Sequence, residues 1–239
     1  MSRIAIVGGT GMLGTVLVSE LRARGHEVRA LSRSSREHPV DLESGRGLEA
    51  ALAGADVVVG AANGPPTSRA KRVLVEGTKR LLDASEAHHV CVSIVGIENM
   101  PMGYYRVKVA QEQAVRTSGR PWSIVRATQF HELIGGLLRA PAARHVRLRS
   151  SALVQPVAAR EAARAIADVA EGAPRYDTLE VAGPEVLTLS ELSDARGGGV
   201  PLALPLPPRL GRALRAGALI PGAPGVRGTT SFAQWLTTG

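Results

Sequence analysis

The chain has 239 residues, 44% of them apolar, and 29 basic against 21 acidic side chains give a formal net charge of +8. This is the composition of a globular protein with one sizeable core, and a single cysteine and six histidines in no zinc-ligand spacing argue against a disulfide framework or a structural metal. The arginines are spread along the whole chain and aromatic residues make up only 3%, which reads as a solvated basic surface and not as a nucleic-acid groove of clustered cations and stacking rings.

Residues 3–7 (RIAIV) are apolar and β-branched, the pattern of a strand buried on both faces of a parallel sheet. From Met12 to Arg24 the apolar positions Leu13, Val16, Leu17 and Leu21 recur at helical spacing, and Gly25 is a natural stop. Residues 27–31 (EVRAL) predict a second strand and complete a β-α-β unit. The alternation continues with a helix near 46–53, a strand at 56–61, a long helix at 67–87, a strand at 90–95, a helix at 104–118 and a strand at 122–126. His88 and His89 are expected on the surface at a helix end just ahead of their strand, and Cys91 within it as a small hydrophobe.

Beyond Arg126 the pattern loosens to a helix near 131–140, a basic segment at 144–149, a helix at 158–171 and a strand at 178–182. The Gly- and Pro-rich tail reads as surface, with one short helix around Arg209–Ala218. Strands alternating with helices predict an α/β fold, a doubly wound parallel sheet covered on both sides.

Gly8, Gly11 and Gly14 in GGTGMLG lie between the first strand and the first helix. In that context Gly8 allows a tight turn, Gly11 admits a pyrophosphate to the backbone, and Gly14 lets the helix pack close to the sheet, while the helix N-terminus offers N–H donors. Thr10, Met12 and Leu13 complete this Rossmann-type loop, and Ala61 and Ala62 after the third strand are expected to border the same dinucleotide. With no internal repeat and no long linker, residues 1–239 read as a single Rossmann domain in which 127–239 supply a small substrate lobe.

The end of the second strand bears on which dinucleotide binds. NAD sites place an acid there for the ribose 2′-hydroxyl, whereas this chain has Leu31-Ser32-Arg33-Ser34, with Arg36 beyond. A guanidinium pairs with a 2′-phosphate through two parallel hydrogen bonds and a serine adds another, so Ser32 and Arg33 favour NADP(H) over NAD. Asp41 and Leu42 are candidates to flank the adenine.

Tyr104 and Lys108 stand four residues apart on one face of a predicted helix, after the strand that carries Ser93. Hydride transfer to a carbonyl leaves an alkoxide that needs a proton, and a phenol beside an ammonium can supply it. Tyr104 is then the acid/base, with Tyr105 as an alternative. Lys108 lowers its pKa and holds the nicotinamide ribose, and Ser93 binds the substrate oxygen.

With these residues in place, the chain resembles the short-chain dehydrogenase/reductase superfamily, in its atypical, NmrA-like branch of NAD(P)H-binding proteins. The resemblance rests on GGTGMLG, on Leu-Ser-Arg-Ser, on Ser93 with Tyr104-x-x-x-Lys108, on PWSIVRATQFHEL at 121–133, and on VQPVAAREAARAIADVA at 154–170 followed by AGPEVLTLSEL. It implies a Rossmann core with a small C-terminal substrate lobe, NADP-linked reduction of a small molecule, and a substrate pocket near Thr128, Gln129, Phe130 and His131. The asparagine that classical members carry in the helix before the catalytic strand falls here at Leu74.

The expected protein is a cytoplasmic NADPH-dependent reductase of a small carbonyl or quinone-like compound, a monomer or homodimer with no nucleic-acid or membrane partner. Two alternatives stay open: a redox-sensing regulator that binds NADP(H) without turnover, and an epimerase or dehydratase that recycles its nucleotide.

Overall fold

The computed structural model describes residues 1–64, 69–139 and 145–238. The first half runs β1 (Arg3–Val7), α1 (Met12–Ala23), β2 (Glu27–Leu31), α2 (Leu48–Leu52), β3 (Val57–Gly60), α3 (Gly77–Ala84), β4 (His88–Ile94), α4 (Gly103–Arg116) and β5 (Trp122–Ala127). The second half runs α5 (His131–Arg139), β6 (Val146–Arg149), β7 (Leu153–Val154), α6 (Ala159–Glu171), β8 (Thr178–Ala182), β9 (Leu187–Thr188), α7 (Leu189–Arg196), β10 (Val200–Ala203), α8 (Pro208–Arg215), β11 (Val226–Arg227) and α9 (Phe232–Thr238).

Seven strands form a parallel central sheet in the order β11-β8-β5-β4-β3-β1-β2, so the fold is the expected Rossmann-like α/β type. β1 pairs with β2 on one side and with β3 on the other, Ile4 facing Val28 and Val57 across the two ladders. The chain thus reverses its direction of travel across the sheet between β1 and β3. Such a switch opens a crevice at the carboxyl ends of these strands, where doubly wound sheets take their ligands. No helix among the described residues is long and apolar enough to cross a membrane.

The chain divides into two compact units, the first of Met1–Ser93, Gly103–Arg126 and Ala163–Leu179, the second of Ile94–Met102, Ala127–Ala162 and Glu180–Gly239. In the first, Ala5, Val7 and Val58 of the sheet pack with Leu48, Leu52 and Leu81, and Cys91 packs with Leu82, Val115, Trp122 and Ile124. In the second, Ile134, Leu138, Val154, Leu192 and Phe232 form the core.

Two sequence expectations need correction. The helix expected from 67 to 87 runs, within the described residues, from Arg69 to Ala84, with a π-helical stretch over Lys71–Glu76 inside it and α-helix on either side; residues 67 and 68 lie outside the described residues. An apolar period does not register the extra residue that a π-turn accommodates. His88 and His89 are not at the surface, because β4 starts two residues earlier than its apolar run. His88 Nε2 meets Ser123 Oγ at 2.8 Å and His89 Nε2 donates to the Ser85 carbonyl at 3.0 Å, which makes both imidazoles tolerable inside.

The basic segment holds a strand, β6, paired in parallel with β10 from the Gly/Pro-rich stretch. That stretch is exposed, as expected, and the short helix expected around Arg209–Ala218 is α8. Helix α7 was signalled by a capping box: Thr188 Oγ1 accepts from the Glu191 N–H while the Glu191 carboxylate accepts from the Thr188 N–H.

Candidate functional site

β1 runs directly into the glycine loop at the switch point. Gly8 adopts φ +84°, which side chains rarely tolerate, and its N–H donates to the Leu31 carbonyl at the end of β2, 2.8 Å away. A β-carbon on Gly8 would stand 2.7 Å from the Ala62 backbone, and one on Gly14 2.1 Å from the Gly8 carbonyl oxygen. Both glycines are therefore demanded by the protein's own backbone. Gly9, which the motif reading passed over, is demanded too: its β-carbon would lie 2.8 Å from Ala30 Cα.

Gly11 differs. It is exposed, it is the N-cap of α1, and only the Gly8 carbonyl oxygen, at 3.2 Å, comes within 4 Å of where its β-carbon would be. Bare backbone on the open side of a helix N-terminus is a cradle for an anion, so the loop fits a dinucleotide pyrophosphate. Thr10 and Met12 are exposed beside it, and Leu13 is buried. Ala61 donates its N–H to the Val7 carbonyl at 2.9 Å, holding the turn that carries Ala62 against Gly8.

A chain of hydroxyls joins the loop to the end of β2. Thr10 Oγ1 lies 3.2 Å from Ser34 Oγ, which lies 3.2 Å from Ser32 Oγ. The structure thus brings three hydroxyls to one place, Ser34 among them without having been singled out from sequence, and Arg33, between the two serines in sequence, is exposed. Asp41 is occupied in its own turn. The Ser44 hydroxyl at 2.8 Å and the Glu43 N–H at 3.1 Å, aided by Arg33 and Arg46, hold its carboxyl below the ordinary range. Leu42 packs partly buried against the core, 3.0 Å from where a β-carbon on Gly77 would be.

β4 and α4 position the remaining groups of this unit. Lys108 is buried, its Nζ donating to the Val92 carbonyl at 3.0 Å and to Gln111 Oε1 at 2.6 Å. Gln111 Nε2 donates in turn to Thr78 Oγ1 at 3.0 Å. Burial pushes the Lys108 pKa down, opposed by Cys91 and Glu112. Next to Val92, Ser93 carries a buried hydroxyl with no hydrogen-bond partner among the described residues. An unpaired buried hydroxyl costs free energy unless something else meets it.

Tyr104 is half-buried and donates its hydroxyl to Asn63 Oδ1, with Tyr105 edge-on at 5.8 Å between ring centroids. The expected lowering of its pKa by Lys108 is not what this geometry produces. The ammonium is turned to Val92 and Gln111, and burial, with Tyr105 alongside, raises the Tyr104 pKa. Asn63, Thr78 and Gln111 escaped the sequence reading because neither spacing nor motif marks them.

The second unit holds the residues assigned to the substrate pocket. The Gln129 amide is buried with both Nε2 and Oε1 unpartnered among the described residues. Phe130 forms a parallel bridge with Val157. His131 is fully buried beside Phe232 and Trp235, and its Nε2 lies 3.1 Å from the Thr230 carbonyl. A carbonyl only accepts, so the proton sits on Nε2 and Nδ1, unpartnered, is an acceptor. Burial lowers its pKa and keeps the ring neutral.

Residues 8–171 match the model of the NAD(P)H-binding family. The chain belongs to that family. The assignment agrees with the resemblance to the atypical, NmrA-like branch. The divinyl chlorophyllide a 8-vinyl-reductase of Cucumis sativus chloroplasts is 28% identical over 169 residues, 56% of this chain and 40% of its own. The chain thus spans about two-fifths of that relative's length. The NADPH-dependent quinone oxidoreductase of Escherichia coli, solved with NADPH, superposes with a TM-score of 0.80 at 17% identity, covering 98% of this chain and 99% of that one. A nucleoside-diphosphate-sugar epimerase of Staphylococcus aureus superposes with a TM-score of 0.77 at 16% identity, covering 97% and 99%. At such identities these structures establish a shared Rossmann-like fold.

Proposed function

We propose that this NAD(P)H-binding protein is an NADPH-dependent reductase of a small carbonyl or quinone-like compound. The observation that carries the reading is the pairing, at adjacent residues of β4, of a buried ammonium held on the Val92 carbonyl with the unpartnered hydroxyl of Ser93. A buried cation and a free donor at the carboxyl end of a sheet strand are what a developing alkoxide needs.

Gly11, with Thr10 and Met12 beside it, holds the pyrophosphate on a loop that Gly8, Gly14 and Leu13 shape, and Ala61 and Ala62 border the dinucleotide. Ser32, Arg33 and Ser34 bind the 2′-phosphate, which makes NADPH the preferred form over NADH, and Asp41 and Leu42 flank the adenine. When bound, NADPH supplies a hydride to the carbonyl carbon and leaves as NADP+. Tyr104 gives the proton to the carbonyl oxygen, Ser93 donates a hydrogen bond to that oxygen, and Lys108 holds the nicotinamide ribose and its charge opposes loss of the developing anion. Residues 127–239 contribute most of the substrate lobe and the C-terminal cover, with Gln129, Phe130 and His131 the substrate contacts. The Gln129 amide and the neutral His131 ring, whose Nδ1 has no partner among the described residues, suit an uncharged polar substrate.

The test is Tyr104→Phe in NADPH oxidation with a panel of carbonyls and quinones. Loss of turnover with dinucleotide affinity nearly intact is expected, and equal turnover by the variant removes Tyr104 from the chemistry. A second reading, a sensor that binds NADPH without turnover, draws support from the engagement of the Tyr104 hydroxyl by Asn63. It prevails if the parent protein binds NADPH and oxidises it with no compound of the panel.

A further inference from the structure

Lys108 is a donor on every N–H and an acceptor nowhere, so a side chain that hydrogen-bonds its ammonium must turn an acceptor to it. Gln111, three residues along α4 and on the same face, presents Oε1 at 2.6 Å, and this fixes the orientation of the amide. Nε2 must then point away, and it finds Thr78 Oγ1 on α3 at 3.0 Å. All three side chains are buried, so the row Lys108–Gln111–Thr78 is shielded from competing water.

We propose that Gln111, anchored by Thr78, is the positioning residue for Lys108, holding its ammonium at the Val92–Ser93 end of β4 without neutralising it. The proposal rests on the reductase reading for its purpose. A carboxylate at position 111 would give the cation a permanent counter-ion, and its field would no longer reach a developing anion. An amide dipole orients the ammonium and leaves its charge free. The helix does contain a buried carboxylate, Glu112, but both its oxygens are taken by Arg126 at 2.9 and 2.7 Å, with Arg116 at 3.6 Å. The other titratable groups around Lys108 are Cys91 on β4 and, one turn earlier on α4, Tyr104 and Tyr105. None of these is a counter-ion at neutral pH, Cys91 because burial pushes its thiol up to about 11.

The chain contains three lysines, and Lys71 and Lys79 are exposed, so NMR of side-chain-labelled lysine isolates Lys108. The readout is its titration midpoint in the whole protein, together with NADPH affinity against pH. Gln111→Leu is expected to lower the midpoint and to weaken NADPH binding several-fold, with the loss growing at alkaline pH. Gln111→Glu raises the midpoint, and Thr78→Val lowers it less than Gln111→Leu, because the amide stays and only its anchor is gone. A residue that merely fills space would leave the midpoint where it is. An unchanged midpoint in folded Gln111→Leu, or in Thr78→Val where Gln111→Leu does not fold, overturns the proposal. Since the midpoint is read without turnover, a failed reductase reading and a failed Gln111 proposal give different results.

Discussion

A β-carbon on Gly14 would stand 2.1 Å from the carbonyl oxygen of Gly8, closer than any two such atoms can approach, whereas one on Gly11 would meet that same oxygen at 3.2 Å and nothing else. Two glycines of one motif thus answer to different partners. Gly14→Ala forces the loop and α1 apart, at a cost of about 1–3 kcal/mol for overpacking. A thermal midpoint lowered by several degrees is expected, together with lost NADPH binding. Gly11→Ala leaves the midpoint within a degree or two and weakens NADPH binding alone, and calorimetric melts beside fluorescence titrations separate the two outcomes.

Arg33 and the Ser32–Ser34 hydroxyl pair stand where an NAD-specific site would carry an acid. Removing a charge-assisted hydrogen bond to a 2′-phosphate costs roughly 1.5–3 kcal/mol. Arg33→Ala is therefore expected to weaken NADPH binding tenfold or more and to leave NADH binding unchanged. Ser34→Ala acts in the same sense but less. Parallel loss for both dinucleotides would show that the arginine serves the fold.

Glu112 and Arg126 form a two-pronged ion pair with side chains only 4% and 13% exposed. Arg126→Met strands a carboxylate in the interior at about 3–5 kcal/mol. Urea unfolding should show that loss. The double variant Arg126→Met/Glu112→Leu should recover much of it, since burying neither charge is cheaper than burying one.

Burial brings the His88 pKa down from its ordinary 6.5 to about 4, and burial lowers His89 and His131 as well. A base whose folded pKa is depressed is neutral in the fold while the unfolded chain still takes up a proton. Its stabilising contribution is whole above 6.5 and is lost progressively as pH falls from there toward 4. Thermal midpoints should decline across that window, before the carboxylates titrate. His88→Asn should flatten the decline, and an unaltered slope would mean that His88 is not the group responsible.

Local periodicity was enough to place β1, α1, β2, β5 and β8 within a residue or two, because strands buried on both faces of a parallel sheet read as unbroken apolar runs. It misplaced the start of β4, where His88 and His89 are polar in sequence but each ring meets an oxygen inside, Ser123 Oγ and the Ser85 carbonyl. It missed β10, four exposed residues whose strand character comes from pairing with β6, some fifty positions away.

The sequence by itself determined that a dinucleotide loop lies between β1 and α1, that no acid follows β2, and that Tyr104 and Lys108 share a helix face. These are short-range facts, set by spacings of three, four or about twenty residues. Only the tertiary structure decided which glycines the backbone itself demands, that Ser34 joins Thr10, that Tyr104 faces Asn63, and that the Lys108 charge is turned to Val92 and Gln111. The Thr10–Ser34, Tyr104–Asn63 and Lys108–Val92 contacts join segments 24, 41 and 16 residues apart that meet in three dimensions, and burial follows from that meeting. A side chain's partner and its desolvation are properties of the packed interior, and no local pattern encodes them.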